Sequence, residues 1–485
     1  MNSSPQNSTA NTVLKAAPPG PSAPKKAESP KAAQSKAVPS KAAPRRSRLP
    51  GRFARLPELA GRNFLPLGLF ARLPLAMLTV GTLTLVTAVS HSYAIGGLAA
   101  GAVGIGSALG APVLGSLADR SGQRPVLLVA AAVNAVTVIA LLVAAYLTPD
   151  FSTPTDAAAI LLTAFLAGAS CPQVGPMARV RWMALTARNL NPRNGNTGAG
   201  ANATGHGSVA SSRADLDTAL SYEGTADEVT FVLGPALVGI LASLVAPWLP
   251  LALAAVLTAT LVPAFAVHPS QLAVVPAKRK ARTGVVSLPA ERKSGAVAWL
   301  KVAVPVLAMV CMGTFFGATQ NALSAFSAQF ATAEIAGLMY SVMGLSSAVA
   351  ALSVAYWPRR FGLAIRWVLA AAAMTAFSLL LFLPAGIWPM VIVLLVLGIP
   401  VGPVMVTVFS IGGVVAPAGR MATVMTALAS GIVAGTALGA YLAGQLAQTQ
   451  GPGAAFVVST AASGALLVLG IVAGLVLRRR PSTQH

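Results

Sequence analysis

The chain has 485 residues, 55% of them hydrophobic and only 9% charged, with a formal charge of +22. A soluble domain carries about 25% charged residues, and a globule this poor in charge would expose a continuous apolar surface. A water-soluble fold is therefore set aside. So is nucleic-acid binding, because of where the positive charges sit: they fall in the segments flanking alternate apolar runs, as a membrane face would gather them.

Taken in chain order, residues 1–62 come first. They are rich in Ala, Pro, Ser and Lys, as in "KKAESPKAAQSKAVPSKAAPRR". Such a segment cannot bury a core and is expected to be a disordered, basic cytoplasmic tail. It has no apolar stretch behind a short basic start, so no cleavable signal peptide is expected.

Apolar runs follow near 66–90, 94–117, 125–147, 157–178, 222–246 and 249–268. After a polar, basic gap at 269–297, six more lie near 298–327, 334–356, 363–384, 387–410, 420–446 and 453–477. Each is long enough to cross a bilayer as a helix, which takes about 20 residues. They are continuous rather than alternating, which speaks for helices and against barrel strands. The expectation is an all-α integral membrane protein of twelve transmembrane helices in two pseudo-symmetric six-helix bundles. The amino-terminal bundle covers 63–268, the central cytoplasmic loop 269–297, the carboxy-terminal bundle 298–477 and a short tail 478–485.

The basic residues test the count, because Lys and Arg in short loops remain cytoplasmic. All but one of the 34 Lys and Arg fall in the tail, in alternate gaps or the first few residues of the span that follows such a gap, in the central loop or at the end of the chain. The exception is Arg72, inside span one. Both termini are therefore expected in the cytoplasm of a cell with a plasma or inner membrane, and the basic tail meets anionic headgroups or is simply solvated.

The segment 189–214, with "NLNPRNGNTGAGANATGHGSVASSR", is Gly/Asn/Ser-rich and reads as a flexible cytoplasmic insert. Its "NAT" sequon lies on the wrong side for glycosylation. Cys171 and Cys311 sit in apolar runs and the four His are scattered, so no metal site is expected. There is no GxxxxGK[ST] phosphate loop, nucleophile elbow or catalytic dyad, so neither an enzyme nor a cofactor is expected.

The halves echo one another. "GASCPQVGPM" in span four answers to "GIPVGPVM" in span ten, "GPALVGILA" in span five to "GTALGAYLA" in span eleven, and "DRSGQRPVLL" more loosely to "RRFGLAIRWVL". The three pairs keep one order, as parallel six-helix repeats do.

Between spans two and three stands "GSLADRSGQRPVLL". Gly115, Asp119, Arg120, Gly122 and Arg124 resemble the loop motif between helices two and three of the major facilitator superfamily, in which Gln123 replaces a usual basic residue. The resemblance covers roughly residues 66–477. "RLPLAM", "RVRW" and "SYEGTADEVTFVLGP" are similar to an actinobacterial branch of that superfamily. Gly122 suits a tight turn with positive φ. The resemblance implies that Asp119 faces the start of helix eleven in the opposite half and favours the outward-facing state. An acid there meets a positive helix start, and breaking the contact lets one half rock on the other. The alternative is that Arg120 and Arg124 only set topology.

Charges inside spans are costly and usually paired. Arg72 lies at a depth similar to Asp227 and Glu228 on span five, and Glu223 shares a face with Asp227, four residues on. Arg72 is expected either to pair with Asp227 or Glu228, or to snorkel to the interface along its own stem. The same acids are the candidates for proton coupling, or else a structural ion-pair network. Gly234, Pro235 and Gly239 partly match the helix-five motif of drug/proton antiporters, or simply bend span five. The four-residue ladder Gly431, Gly435, Gly439 and the four-residue pairs Gly97 with Gly101 and Gly106 with Gly110 allow close helix approach, and the resemblance places helices two and eleven together across the halves. Gln320 and Asn321, with Phe315 and Phe316, are candidates to line a substrate cavity, or satisfy neighbouring helices.

The function expected is secondary active transport of a small solute by alternating access, as a monomer in the lipid bilayer. Proton-coupled efflux of an uncharged or hydrophobic compound leads. Uptake of a sugar or amino-acid-like solute, and a non-transporting sensor or scaffold, stand as alternatives.

Overall fold

The computed structural model describes residues 51–148, 157–188, 205–276, 295–330, 335–358 and 361–478. The tail up to residue 50, the first part of the insert, the loop 277–294 and residues 479–485 lie outside the described residues.

The described residues contain α-helices and short 3-10 turns, with no strand. Twelve helices are long and apolar enough to cross a membrane. They are α1 (Phe64–Ser90), α2 (Ile95–Ser121), α3 (Gln123–Leu147), α4 (Ala158–Arg188), α5 (Ser211–Leu244), α6 (Leu249–Val267), α7 (Ala298–Ser327), α8 (Ala336–Tyr356), α9 (Leu363–Phe382), α10 (Ile387–Val415), α11 (Met421–Gln450) and α12 (Pro452–Leu475). Large apolar side chains such as Leu98, Leu109, Val136, Leu338 and Ile392 point outward, as suits a surface solvated by lipid rather than water.

Local chemistry places the joints. Ser92 accepts a hydrogen bond from the Ile95 N–H at 3.4 Å and caps the helix leading into α2. Gly122 takes φ +99° between α2 and α3, a conformation that costs a residue with a Cβ. Two spans are broken. In α1 the helix stops at Phe70 and restarts at Leu73, with Pro74 in the new first turn. In α4 it runs over Ala158–Ala169, opens around Pro172 and resumes over Val174–Arg188, because Pro172 removes a donor and its ring excludes the preceding turn.

Two spans run longer than their apolar stretches. α4 continues through Arg179 and Arg181 to Arg188, where a loop was expected after 178. Residues 205–214, expected in the flexible insert, are helical and lead into α5. In α4 the charged side chains are carried inward because they meet partners inside the protein: Arg179 bonds Asp227 and Arg181 bonds Gln123.

The halves share one packing pattern. In the first, α1 packs on α5, α2 on α4 and α3 on α6; in the second, α7 packs on α11, α8 on α10 and α9 on α12. Between the halves, α2 lies along α11 and α5 along α8, two seams that exchange under the half-to-half correspondence.

The glycines sort by seam. Cβ atoms on Gly435 and Gly439 would come within 2.0 Å of the Val310 carbonyl oxygen and 2.1 Å of that of Thr314, and one on Gly431 within 2.9 Å of the Val306 oxygen. That ladder therefore joins α11 to α7 inside one half, not to α2 across the halves. Gly106 and Gly110 pack on α4, and Gly97 and Gly101 have open space. Gly234 presses on Ala76 of α1, with Pro235 inside the helix beside it.

Candidate functional site

The break in α1 aims Arg72 inward. Its side chain is 4% exposed, so it does not snorkel. It forms a close ion pair with Glu223, and its Nη1 donates to Asp227 Oδ1 at 3.0 Å and to the Glu223 carbonyl at 3.2 Å. Four residues make just over one helical turn, so Glu223 and Asp227 present both carboxylates to one guanidinium. Of the two partners expected, Asp227 is bonded. Glu228 is not, and Glu223 takes its place.

Arg72 is not alone in the interior. Arg179 donates to Asp227 Oδ2 at 2.5 Å, and Trp182, one turn on, donates from its indole N–H to Glu223 Oε1 at 2.7 Å. Two acids and two guanidiniums balance in charge, the condition under which ions are tolerated in a low-dielectric interior. Gly175 makes room for this cluster: a Cβ there would lie 3.2 Å from Asp227 Oδ1 and 3.5 Å from both Arg179 Nη1 and Arg72 Nε. On its other side, the Arg179 guanidinium lies 3.9 Å from the Phe409 ring centroid on α10. The network thus touches the second half.

Glu228 points elsewhere. It is buried against α8 and accepts a hydrogen bond from the Ser347 hydroxyl at 2.9 Å, across the seam. Next to it Thr225 donates to the Ala348 carbonyl at 2.9 Å. Among the described residues no cation stands within ion-pair distance of Glu228, whereas Glu223 and Asp227 each hold at least one.

At the end of the bundle that carries the basic loops, Asp119 meets the start of α11. Its Oδ1 accepts the Ala422 N–H at 2.9 Å, and its Oδ2 accepts the Thr423 N–H at 2.8 Å and the Thr423 hydroxyl at 2.7 Å. Helix starts leave backbone N–H groups unsatisfied, and Arg420 at the cap position of α11 supplies no side-chain bond. The carboxylate from the other half fills that role and matches the helix dipole. Gly115, one turn earlier, lets α2 reach α11: a Cβ would come within 2.1 Å of Thr426 Oγ1. Arg120 and Arg124 are exposed.

The departure at Gln123 has a local cause. Its amide oxygen accepts from Arg181 Nε at 2.8 Å, and its nitrogen donates to the Met177 carbonyl at 3.2 Å. Arg181, fully buried, also donates to the Phe265 carbonyl at 2.8 Å and to Ser270 Oγ at 3.1 Å. A basic residue at 123 would set two positive charges together; an amide offers an acceptor. Beyond α6, burial and the nearby Arg181 hold the His268 imidazole below its ordinary pKa.

The expected cavity residues divide. Phe315 and Phe316 are buried, their ring centroids 5.9 Å apart. Asn321 donates to the Ala440 carbonyl of α11 at 3.1 Å, and Gln320 is exposed.

Sequence reasoning missed Arg179, Trp182, Ser347 and Phe409. "RVRW" carried the signal for the first two, since Arg179 and Trp182 are three apart and share a helix face. Ser347 and Phe409 carry none, because their roles depend on which helix lies opposite.

Fold and site together define a polytopic α-helical membrane protein of two like halves, with a charge-balanced core in the first half and hydrogen-bonded seams between the two. The match to the Major Facilitator Superfamily spans residues 64–433. The chain therefore belongs to that superfamily, whose members are transporters rather than enzymes. No individual curated sequence matches it. Solved structures share the fold. A bacterial homologue of the iron transporter ferroportin in an outward-facing state is 14% identical, with TM-score 0.60, over 85% of this chain and 99% of that one. The human organic anion transporter TETRAN is 18% identical, with TM-score 0.59, over 84% and 99%. The E. coli fucose:proton symporter is 14% identical, with TM-score 0.56, over 84% and 98%.

Proposed function

We propose that the protein exports an uncharged or hydrophobic solute by alternating access, driven by protons, from a cell membrane in which both termini are cytoplasmic. Glu228 carries this reading. A proton placed on Glu223 or Asp227 breaks an ion pair in the core of one half. A proton placed on Glu228 breaks none and changes the charge of a seam between the halves. The groups facing that carboxyl are Asp227 beside it and Tyr340 and Ser347 on α8. An uncompensated charge is costly in a closed seam and cheap in a wet one, so the state of Glu228 biases closed against open.

The contacts at the basic end support an outward-facing arrangement. There Asp119 binds the start of α11, Met183 stands against Gly413, and Leu220, Ala351, Val354 and Val406 from both halves form one apolar cluster. Phe315 and Phe316 are the solute contacts on this reading, with Gln320 beside them, and the engaged amide of Asn321 ties α7 to α11. The sparse charge of these positions favours an uncharged solute.

The test is flux in vesicles under an imposed pH gradient, with a panel of hydrophobic compounds and, in the opposite direction, sugars and amino acids. Glu228→Gln is expected to abolish gradient-driven flux while leaving solute exchange without a gradient. Gradient-driven flux that survives Glu228→Gln overturns the proton route. Inward accumulation identifies an uptake permease, and nil flux of every compound favours a sensor or scaffold.

A further inference from the structure

The segment before α1 forms a 3-10 turn over Arg52–Arg55 and a short helix over Leu56–Ala60. It is fastened to the first half. Leu56 is buried. Arg55 Nη1 donates to the Ser211 hydroxyl at 2.9 Å and lies 3.3 Å from Asp215 Oδ1, both at the start of α5. Its other end reaches the second half. Arg52 donates to the Ala355 carbonyl, and its guanidinium stands 5.4 Å from the Tyr356 ring centroid. The Phe53 ring lies 6.1 Å from the same ring. Ala355 and Tyr356 close α8, immediately beyond the apolar cluster that seals the basic end.

From these contacts we infer that Arg52–Ala60 is a strap that bridges the halves and acts as a gate additional to Asp119, with Arg52 and Tyr356 as its clasp. The physical reason is anchorage. Only three residues separate Arg52 from the buried Leu56, and the 3-10 turn between them is closed by the Ala54 N–H bonding the Gly51 carbonyl at 3.2 Å. Arg52 therefore moves with the first half. If α8 swings away from α5, either the clasp on Tyr356 breaks or the strap is pulled off α5. The strap stabilises only the arrangement in which this end is shut. This inference rests on the alternating-access reading, which supplies the open state.

Alkylation of a reporter cysteine tests it without any solute. Val406→Cys is buried in the inter-half cluster with Leu220, Ala351 and Val354. It is placed in a chain whose two own cysteines, Cys171 and Cys311, are replaced by Ser. Arg52→Ala and Tyr356→Ala are each expected to raise its alkylation rate about two- to fivefold, the size of one exposed cation–π contact. Tyr356→Phe keeps the ring and is expected to keep the parent rate. Joining Phe53→Cys to Tyr356→Cys with a short bifunctional thiol reagent, in a chain that keeps Val406 and lacks Cys171 and Cys311, is expected to hold the end shut, read as protection of the loops at the basic end from limited proteolysis. Unchanged rates in both alanine variants overturn the strap, as does a crosslinked protein whose basic end still opens. If the rates respond as expected while no compound is transported, the strap stands and the transport reading falls.

Discussion

At the scale of single residues, the central object is a charge-balanced quartet. Arg72 holds Glu223 and Asp227, and Arg179 shares Asp227. Removing one member of a buried ion pair leaves a stranded charge, at a cost of about 3–5 kcal/mol. Arg72→Ala is therefore expected to lower the yield of folded protein and its melting temperature, measured in detergent. The sharing of Asp227 also sets the outcome of a charge-reversal experiment. Arg72→Glu is expected to abolish function, and adding Asp227→Arg restores the Arg72 contact only by setting a cation against Arg179. The rescue is thus expected to be weaker than that from Glu223→Arg, which restores a contact and leaves Asp227 on Arg179. Equal rescue by both swaps would mean that Arg179 does not depend on Asp227.

At the scale of helices, two glycine contacts of similar tightness have opposite consequences. Gly435 lies on the α7–α11 contact inside one half; Gly115 lies on the α2–α11 contact between halves. A methyl group forced into either site overpacks it, typically by about 1–3 kcal/mol. Gly435→Ala is expected to lower the melting temperature, because the contact it spoils exists in every state. Gly115→Ala is expected to leave melting nearly unchanged and instead to open the basic end, read as faster alkylation of Val406→Cys. A matching loss of thermal stability in both variants would show that the α2–α11 seam is as permanent as the α7–α11 contact. How much of this was legible beforehand follows from the same helices. The family resemblance of "GSLADRSGQRPVLL" implied that Asp119 faces helix eleven, and three hydrogen bonds join it to the start of that helix. The ladder Gly431, Gly435, Gly439 pointed to a close helix contact but not to α7, because a stripe of small residues says that something approaches, not what.

At the scale of the whole molecule, the alternation of basic loops makes a sided prediction. Ala385, in the turn between α9 and α10, and Ala418, in the turn between α10 and α11, are both exposed. On the topology proposed, Ala385→Cys is expected to react with an impermeant thiol reagent in intact cells, and Ala418→Cys only after permeabilisation. The reverse pattern would invert the protein in the membrane and turn the proposed exporter's open face inward.

Composition and periodicity alone determined the solvent and the twelve spans and grouped the basic residues in alternate connections, because hydropathy and loop charge are sums over neighbouring residues and need no knowledge of the fold. They ended α4 too early for the same reason: a local sum counts Arg179 and Arg181 as costs, although each is offset by a partner far away along the chain, Asp227 for Arg179 and Gln123 for Arg181. Which acid meets which arginine, which carboxyl between the halves meets no cation among the described residues, and which glycine serves a fixed contact or a seam were decided only by tertiary packing. Those properties belong to pairs of helices, and the partner is defined only once the helices are in place.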